Sequence, residues 1–227
     1  MNGSELKFNL LGVNNQNFIM ADRQTGSFWQ QISGQALRGE LKGTQLDFIY
    51  HEEISFELFK NEFPDGRVLN LDSNEDHVFG RDWAERIQAL PVVVELKNSD
   101  LPPRTLVLGV QIDGIARAWV FDDLIARSPV PDVVGDVPLL VVVAADKKSY
   151  RVFDRRLDGK TLDLYAKADS ETLLLLEAES GSAFDFTGTA IDGPLAGKKL
   201  KRIQAVKDFL FNWRQYHPEA SLFQMSE

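Results

Sequence analysis

The chain alternates short apolar runs with breaks rich in Gly, Asn and Asp, and the runs are of strand length. Residues 5–11 and 17–22 read as two strands joined by the Asn14-Asn15 turn, and Trp29 enters a third short strand after a Gly26-Ser27 turn. Gly39 and Gly43 flank a further turn, and Leu46–Tyr50 is predicted as another strand. Ser55 is placed to cap a helix over 56–62, with Phe56, Phe59 and Phe63 as its apolar stripe and Pro64 and Gly66 as stop signals. Strands follow at Pro91–Leu96, and at Leu106–Gln111 and Ala116–Phe121, the last two forming a hairpin across Asp113-Gly114. Asp122–Ala126 reads as a helical turn, and Pro138–Ala144 pairs with Tyr150–Asp154. Asp158-Gly159 turns into a strand at Thr161–Ala166, which leads to another at 172–177. A last helix is predicted over Lys207–Tyr216, with Phe209, Leu210, Trp213 and Tyr216 on its apolar face and Pro218 beyond its end. The aromatics of both helices are expected in the core. Strands dominate and helices are short, so the predicted class is α+β, mostly antiparallel β with short helices.

The pattern recurs within the chain. Residues 17–29 match 172–184 at an offset of 155 (Ser27 to Ser182): an apolar strand, an acidic residue, a Thr/Ser-Gly-Ser turn and an aromatic. At an offset of 154, Gly34, Ala36, Gly39, Leu41, Gly43 and Leu46 stand opposite Gly188, Ala190, Gly193, Leu195, Gly197 and Leu200. Glycines kept at matching places point to the same special backbone geometry in both stretches. Phe56, Phe59 and Pro64 then match Leu210, Trp213 and Pro218. The expectation is an internal pseudo-repeat: residues 1–71 as a first, partial repeat, 72–103 as a connecting segment and 104–227 as a second repeat, all in one compact unit. A counterpart of residues 104–156 is expected to be missing ahead of the first repeat, either because the sequence is a truncation of a longer protein or because the chain evolved as a half-unit plus a full unit. A half-unit of this kind is expected to leave strand edges that another chain could pair, which makes a homo-oligomer formed by strand exchange one option.

Composition is that of an ordinary globular chain of 227 residues, 44% hydrophobic and 26% charged, long enough for a sizeable core. The net charge of -9 argues against nucleic acid and against an anionic membrane surface. The densest basic stretch, Lys198-Lys199-Leu200-Lys201-Arg202, is short and carries no aromatics. The longest apolar run, Val137–Ala145, is too short to span a bilayer, so no membrane insertion is expected. There are no cysteines, which removes disulfides, thiolate nucleophiles and Cys-ligated zinc but fixes no compartment. The first seven residues have no apolar core of the kind a signal peptide carries.

Met20-Ala21-Asp22-Arg23-Gln24-Thr25-Gly26-Ser27-Phe28-Trp29-Gln30-Gln31, followed by Gly34-Gln35-Ala36 and Gly39-Glu40-Leu41-Lys42-Gly43, resembles the signature of a bacterial family catalogued as a domain of unknown function, number three-one-seven-nine. That signature is an Asp-Arg-x-Thr-x-Ser-x-Trp-x-Gln block, then G-x-A and G-x-x-x-G, then a Trp-containing helix ending in His-Pro. Gly188–Gly197 with Trp213 and His217-Pro218 is similar to the C-terminal half of the same family, and Gly109–Trp119 resembles its G-V-x-x-x-G-x-x-R-A-Y segment. The resemblance also implies an upstream His-Glu-x-x-Asn-Asp stretch and a Cys-Pro-Leu segment, and for many relatives an envelope or periplasmic location. The first repeat has no such region. At the equivalent places of the second stand Arg127-Ser128-Pro129-Val130-Pro131-Asp132 and Ala144-Ala145-Asp146, with neither His nor Cys. Chemistry that relatives carry there is expected to be lost in this chain.

The best candidate site is the block Asp22, Arg23, Thr25, Ser27, Trp29 and Gln31. Arg binds carboxylate or phosphate in two-pronged fashion, Trp offers an apolar or sugar-stacking face, and Gln and Thr give directional hydrogen bonds. The competing reading is a self-satisfied turn, with Asp22 accepting backbone N–H bonds, Arg23 paired to a nearby acid and Trp29 in the core. The second repeat keeps Gly181-Ser182 and an aromatic but lacks the Arg, Trp and Gln. Asp22 and Glu177 would form an acid/base pair only if the fold brought them together. No catalytic residue is assigned: there is no nucleophile elbow, P-loop or dinucleotide fingerprint, so no cofactor is expected. His51, His77 and His217 show no metal-ligand spacing, the acidic run Asp72–His77 reads as a solvated linker, and His217 is placed to cap a helix C-terminus. The sequence therefore predicts a non-catalytic binding or scaffold module for a small molecule or protein, with a degenerate hydrolase acting on an envelope or sugar-like substrate as the alternative.

Overall fold

The computed structural model describes residues 5–14, 17–69, 86, 89, 91–92, 100–167 and 173–223. Most of the predicted Pro91–Leu96 strand, the acidic run 72–77 and the tip of the Asn14-Asn15 turn lie outside them. The chain divides into two compact units, Met1–Tyr50 with Pro91–Lys97, and His51–Leu90 with Asn98–Glu227.

The first unit is an antiparallel sheet in the order β1 (Phe8–Asn14), β2 (Asn17–Asp22), β3 (Phe28–Gln30), β4 (Ala36–Arg38). β1 is bulged between Leu10 and Gly12, and β3 against β4 between Phe28 and Trp29. Its core is small. Trp29 and Ala36 are buried, and the Phe8 ring meets Trp29 edge-on at 5.7 Å. Leu10, Val13 and Phe18 remain exposed. The predicted strand at Leu46–Tyr50 does not form. Gln45 makes one isolated bridge with Gln35, and Phe48, Ile49 and Tyr50 stay exposed, so neither burial nor a ladder rewards their β propensity.

The second unit stacks three four-stranded sheets, antiparallel but for one strand pair. The central one runs β16 (Lys201–Ile203), β9 (Tyr150–Asp154), β8 (Val137–Val143), β7 (Val130–Val134). One outer sheet runs β17 (Val206–Phe209), β5 (Leu106–Ile112), β6 (Ile115–Val120), β18 (Ser221–Phe223), with β18 joined to β6 in parallel. The other runs β12 (Leu164–Ala166), β13 (Leu175–Glu177), β14 (Ala183–Phe184), β15 (Ala190–Asp192). Because β8 is covered on both faces, it has no polar side: Leu139, Val141 and Val143 enter the core shared with β5 and β6, while Leu140 and Val142 enter the core shared with β13 and β14. The β5–β6 hairpin turns on Asp113 and Gly114, both at positive φ, as an Asp-Gly turn requires. A two-residue hairpin of β10 (Arg156–Leu157) and β11 (Lys160–Thr161) precedes β12, so the strand expected over Thr161–Ala166 is split.

Three helices occur among the described residues: α1 (Phe56–Glu62), α2 (Phe121–Arg127) and α3 (Leu210–Tyr216). The Ser55 hydroxyl caps α1 as expected, accepting the Leu58 N–H. Its aromatic stripe is not core: no residue of α1 is buried, and Phe56, Phe59 and Phe63 stack on one another instead. α3 is shorter than the predicted Lys207–Tyr216 helix, because Val206–Phe209 pairs with β5 as β17. Its remaining turn buries Leu210, Phe211 and Trp213, the Trp213 ring lying over Gly109, where a Cβ would come within 2.4 Å of it. No helix among the described residues is long and apolar enough to cross a membrane.

Candidate functional site

The corner between β2 and β3 is built around the Asp22 carboxylate. It accepts the Thr25 N–H (2.5 Å), the Thr25 hydroxyl, the Ser27 N–H (3.2 Å) and the Trp29 indole N–H (2.8 Å). Burial alone would raise the Asp22 pKa, but the Trp29, Thr25 and Ser27 donors outweigh it and hold the carboxyl below its ordinary value. Ser27 is buried, its oxygen 2.7 Å from the Thr25 hydroxyl and accepting the Leu41 N–H at 3.0 Å. Gly39, at φ 100°, lies so close that a Cβ would sit 2.7 Å from the Ser27 Cα. Of the six sequence-predicted residues the fold thus gathers four, Asp22, Thr25, Ser27 and Trp29, and each is engaged within the corner. Arg23 points elsewhere: it is exposed and donates through Nε and Nη2 to the Asn9 side-chain oxygen at 3.0 and 2.7 Å. Gln31 is exposed as well, and its backbone N–H donates to the Phe18 carbonyl.

In the second unit, Glu177 holds the corner between β13 and β14 in the same manner. It accepts the Ser180 N–H (2.7 Å), the Ser180 hydroxyl (2.6 Å) and the Glu179 N–H. The Ser182 oxygen accepts the Leu195 N–H at 3.0 Å, and a Cβ at Gly193 would sit 2.7 Å from the Ser182 Cα. Burial pushes the Glu177 pKa up, and the Ser180 and Glu179 donors bring it below its ordinary value. Both acids of the acid/base pair weighed from the sequence are therefore occupied within their own corners. His217 is the C-cap of α3, but its ring packs against Trp213 at 4.1 Å and burial lowers its pKa, disfavouring the cation that would suit the helix dipole.

The second unit also contains a cavity of about 500 Å³. One wall is Ser55, Glu57, Leu58, Asn61 and Glu62 of α1 and its cap; the others come from Ala144–Asp146, Leu173, Leu174 and Asp185–Thr187. Besides Leu58, which packs against the core, α1 is held by polar contacts. Arg151, fully buried in β9, makes two-pronged ion pairs with Glu52 and Glu62 at 2.6–2.9 Å, and Arg202 adds a 2.7 Å pair to Glu52. Burial weakens the protonation of Arg151, but Glu62 and Glu52 more than offset this and raise its pKa. Its guanidinium also lies 4.5 Å from the centre of the Phe186 ring that lines the cavity. At the other end of the wall, the Ser55 N–H donates to the Ser149 hydroxyl, which in turn donates to Asp146 at 2.5 Å.

A family model described as "Protein of unknown function (DUF3179)" matches residues 1–220. The chain belongs to this family. No curated protein and no solved structure matches it. In this DUF3179 protein Ala144, Ala145 and Asp146 line the cavity. Among the described residues no group of three or more His, Asp or Glu side chains is placed to hold a metal ion. Sequence reasoning missed Arg151, Glu52 and Glu62. The available signal was a lone Arg inside the apolar run Tyr150–Asp154: alternation puts it on the same face of β9 as Phe153, where a charge requires a partner.

Proposed function

We propose that this DUF3179 protein is a non-catalytic binding module and that its ligand seat is the cavity between α1 and the loops of the second unit. The supporting observation is the cavity itself, concave, partly apolar and edged by polar groups, a combination that characterises small-molecule sites. A hydrolase reading finds less support, since the carboxylates that would act, Asp22 and Glu177, spend their lone pairs on turn donors. On this reading Asp22, Thr25, Ser27 and Trp29 serve the fold, and Arg23 and Gln31 are surface residues with no part in the ligand seat.

The same reading takes residues 1–71 and 104–227 as two copies of one ancestral unit joined by 72–103. In its favour, Trp29 pairs with Met20 and Ala36 as Phe184 pairs with Leu175 and Ala190, and the Gln35–Gln45 bridge has its like in Thr189–Lys199.

The test is a thermal-shift screen of the full chain against sugars, carboxylates, phosphates, amines and divalent metals, repeated on Ala145→Trp, Arg23→Ala and Gln31→Ala. The expected hit disappears in Ala145→Trp and persists in the other two. A hit that ignores Ala145→Trp and vanishes in Arg23→Ala moves the site to the first unit.

A further inference from the structure

We infer that the cavity takes a cationic amphiphile, a primary ammonium or guanidinium carried on an apolar chain or ring. This rests on the reading of the cavity as the ligand seat and adds the chemistry of its occupant. The walls divide into two kinds. Leu58, Ala144, Ala145, Leu173, Leu174 and Phe186 give an apolar surface that a hydrocarbon group would cover. Among the described residues, every ionisable side chain in the lining is acidic: Glu57, Glu62, Asp146 and Asp185.

These acids differ in how they are compensated. Glu62 is neutralised by Arg151. Asp146 is not: its partners among the described residues are the Ser149 and Ser55 hydroxyls and the N–H groups of Lys148 and Ser149, all neutral donors. Burial pushes its pKa up, but those donors bring it down to about 2, so it is fully charged at neutral pH. Among the described residues the Asp185 carboxylate likewise accepts from neutral donors, the Thr187 N–H and hydroxyl and the Thr189 N–H. Glu57, exposed on the first turn of α1, forms none of the chain's ion pairs among the described residues. The exposed Lys147 and Lys148 follow Asp146 in the chain but do not line the cavity. The cavity is thus an apolar floor under uncompensated negative charge.

Among the described residues an anionic ligand would find no uncommitted cation in the lining, because the nearby guanidinium groups of Arg151 and Arg202 are committed to Glu52 and Glu62. A neutral ligand would gain the apolar contact but leave the carboxylates' field unused. A cation with an apolar body uses both, and carboxylates gathered around one concave surface add their fields there.

Titration of the full chain with n-hexylammonium, hexan-1-ol and hexanoate at low and high salt tests the inference. The ammonium is expected to bind at least about tenfold more tightly than the alcohol at low salt, to lose most of that advantage at high salt, and hexanoate not to bind. Glu57→Lys, an exposed change that leaves α1 intact, is expected to weaken the ammonium about tenfold and the alcohol little. Ala145→Trp, checked for an unchanged melting temperature, is expected to abolish both. Equal binding of ammonium and alcohol, or no ammonium binding at all, overturns the ligand class while leaving the seat to the broader screen. Ammonium binding that survives both Ala145→Trp and Glu57→Lys overturns the seat itself.

Discussion

A buried carboxylate is tolerated only where donors meet its lone pairs, and Asp22 shows how completely a five-residue corner can do this. Two backbone N–H groups, one hydroxyl and the Trp29 indole converge on it. Trp29→Phe keeps most of the ring volume but removes the indole donor. It is expected to cost about 1–2 kcal/mol in urea unfolding, because the carboxylate stays buried with one bond fewer. Arg23→Ala, one residue away, should change stability by less than about 0.5 kcal/mol, since Arg23 is exposed and its bond is to the exposed Asn9. Equal losses from the two substitutions would contradict the division of this block into a structural part and a surface part. The sequence made both readings of the block available. Only the direction of each side chain separated them, and that follows from the β2–β3 register, in which Met20 faces Trp29 and Ala21 faces Phe28.

At the scale of elements, α1 stands out because its own sequence does not explain its docking. Its aromatic stripe matched the spacing of a core helix, yet no α1 residue is buried, and the wall is held by charge. Glu52 and Glu62 bracket the helix and both reach Arg151, which comes from a distant strand. Removing one partner of such a buried cluster leaves uncompensated charge. Arg151→Leu is therefore expected to destabilise the second unit by about 3–5 kcal/mol. Hydrogen exchange should show protection lost first over 56–62, ahead of the central sheet. Retained protection in α1 would mean that Leu58 and the Ser55–Ser149 bond hold it unaided. α3 teaches the same lesson from its N-terminal side. A helical stripe beginning at Phe209 was legible, but β5 offered a ladder edge and captured Val206–Phe209 as a strand.

For the whole molecule, the perturbed carboxylates set the pH response. Asp22, Asp146, Asp154 and Glu177 have folded-state pKa values below their ordinary ones, each because hydrogen-bond donors outweigh the effect of burial. A lowered pKa gives stability that is present above the unfolded value and is lost as pH falls toward the folded one. Asp208 works the other way: burial raises its pKa, so its proton favours the folded chain and its contribution declines as pH rises through that value. Four groups oppose one, and the ordinary values lie between 3.8 and 4.5. The melting temperature is therefore expected to fall by at least about 5 °C between pH 6 and pH 3. A flat profile over that range would show that these carboxylates do not keep their donors in solution.

The amino-acid sequence by itself determined the β-rich class, the Gly-Ser corners, the Asp-Gly hairpin, the Ser55 cap and the family, because each is written in local residue chemistry or in spacing along the chain. Tertiary structure alone decided which apolar stripes became core, where α3 begins, that Leu46–Tyr50 gains no ladder, and that Arg151 gathers two glutamates into the wall of a cavity. These outcomes depend on what a distant segment brings alongside. A β-sheet core is built from pairings between residues far apart in the chain, and periodicity within one strand records which way a side chain points but not what it meets.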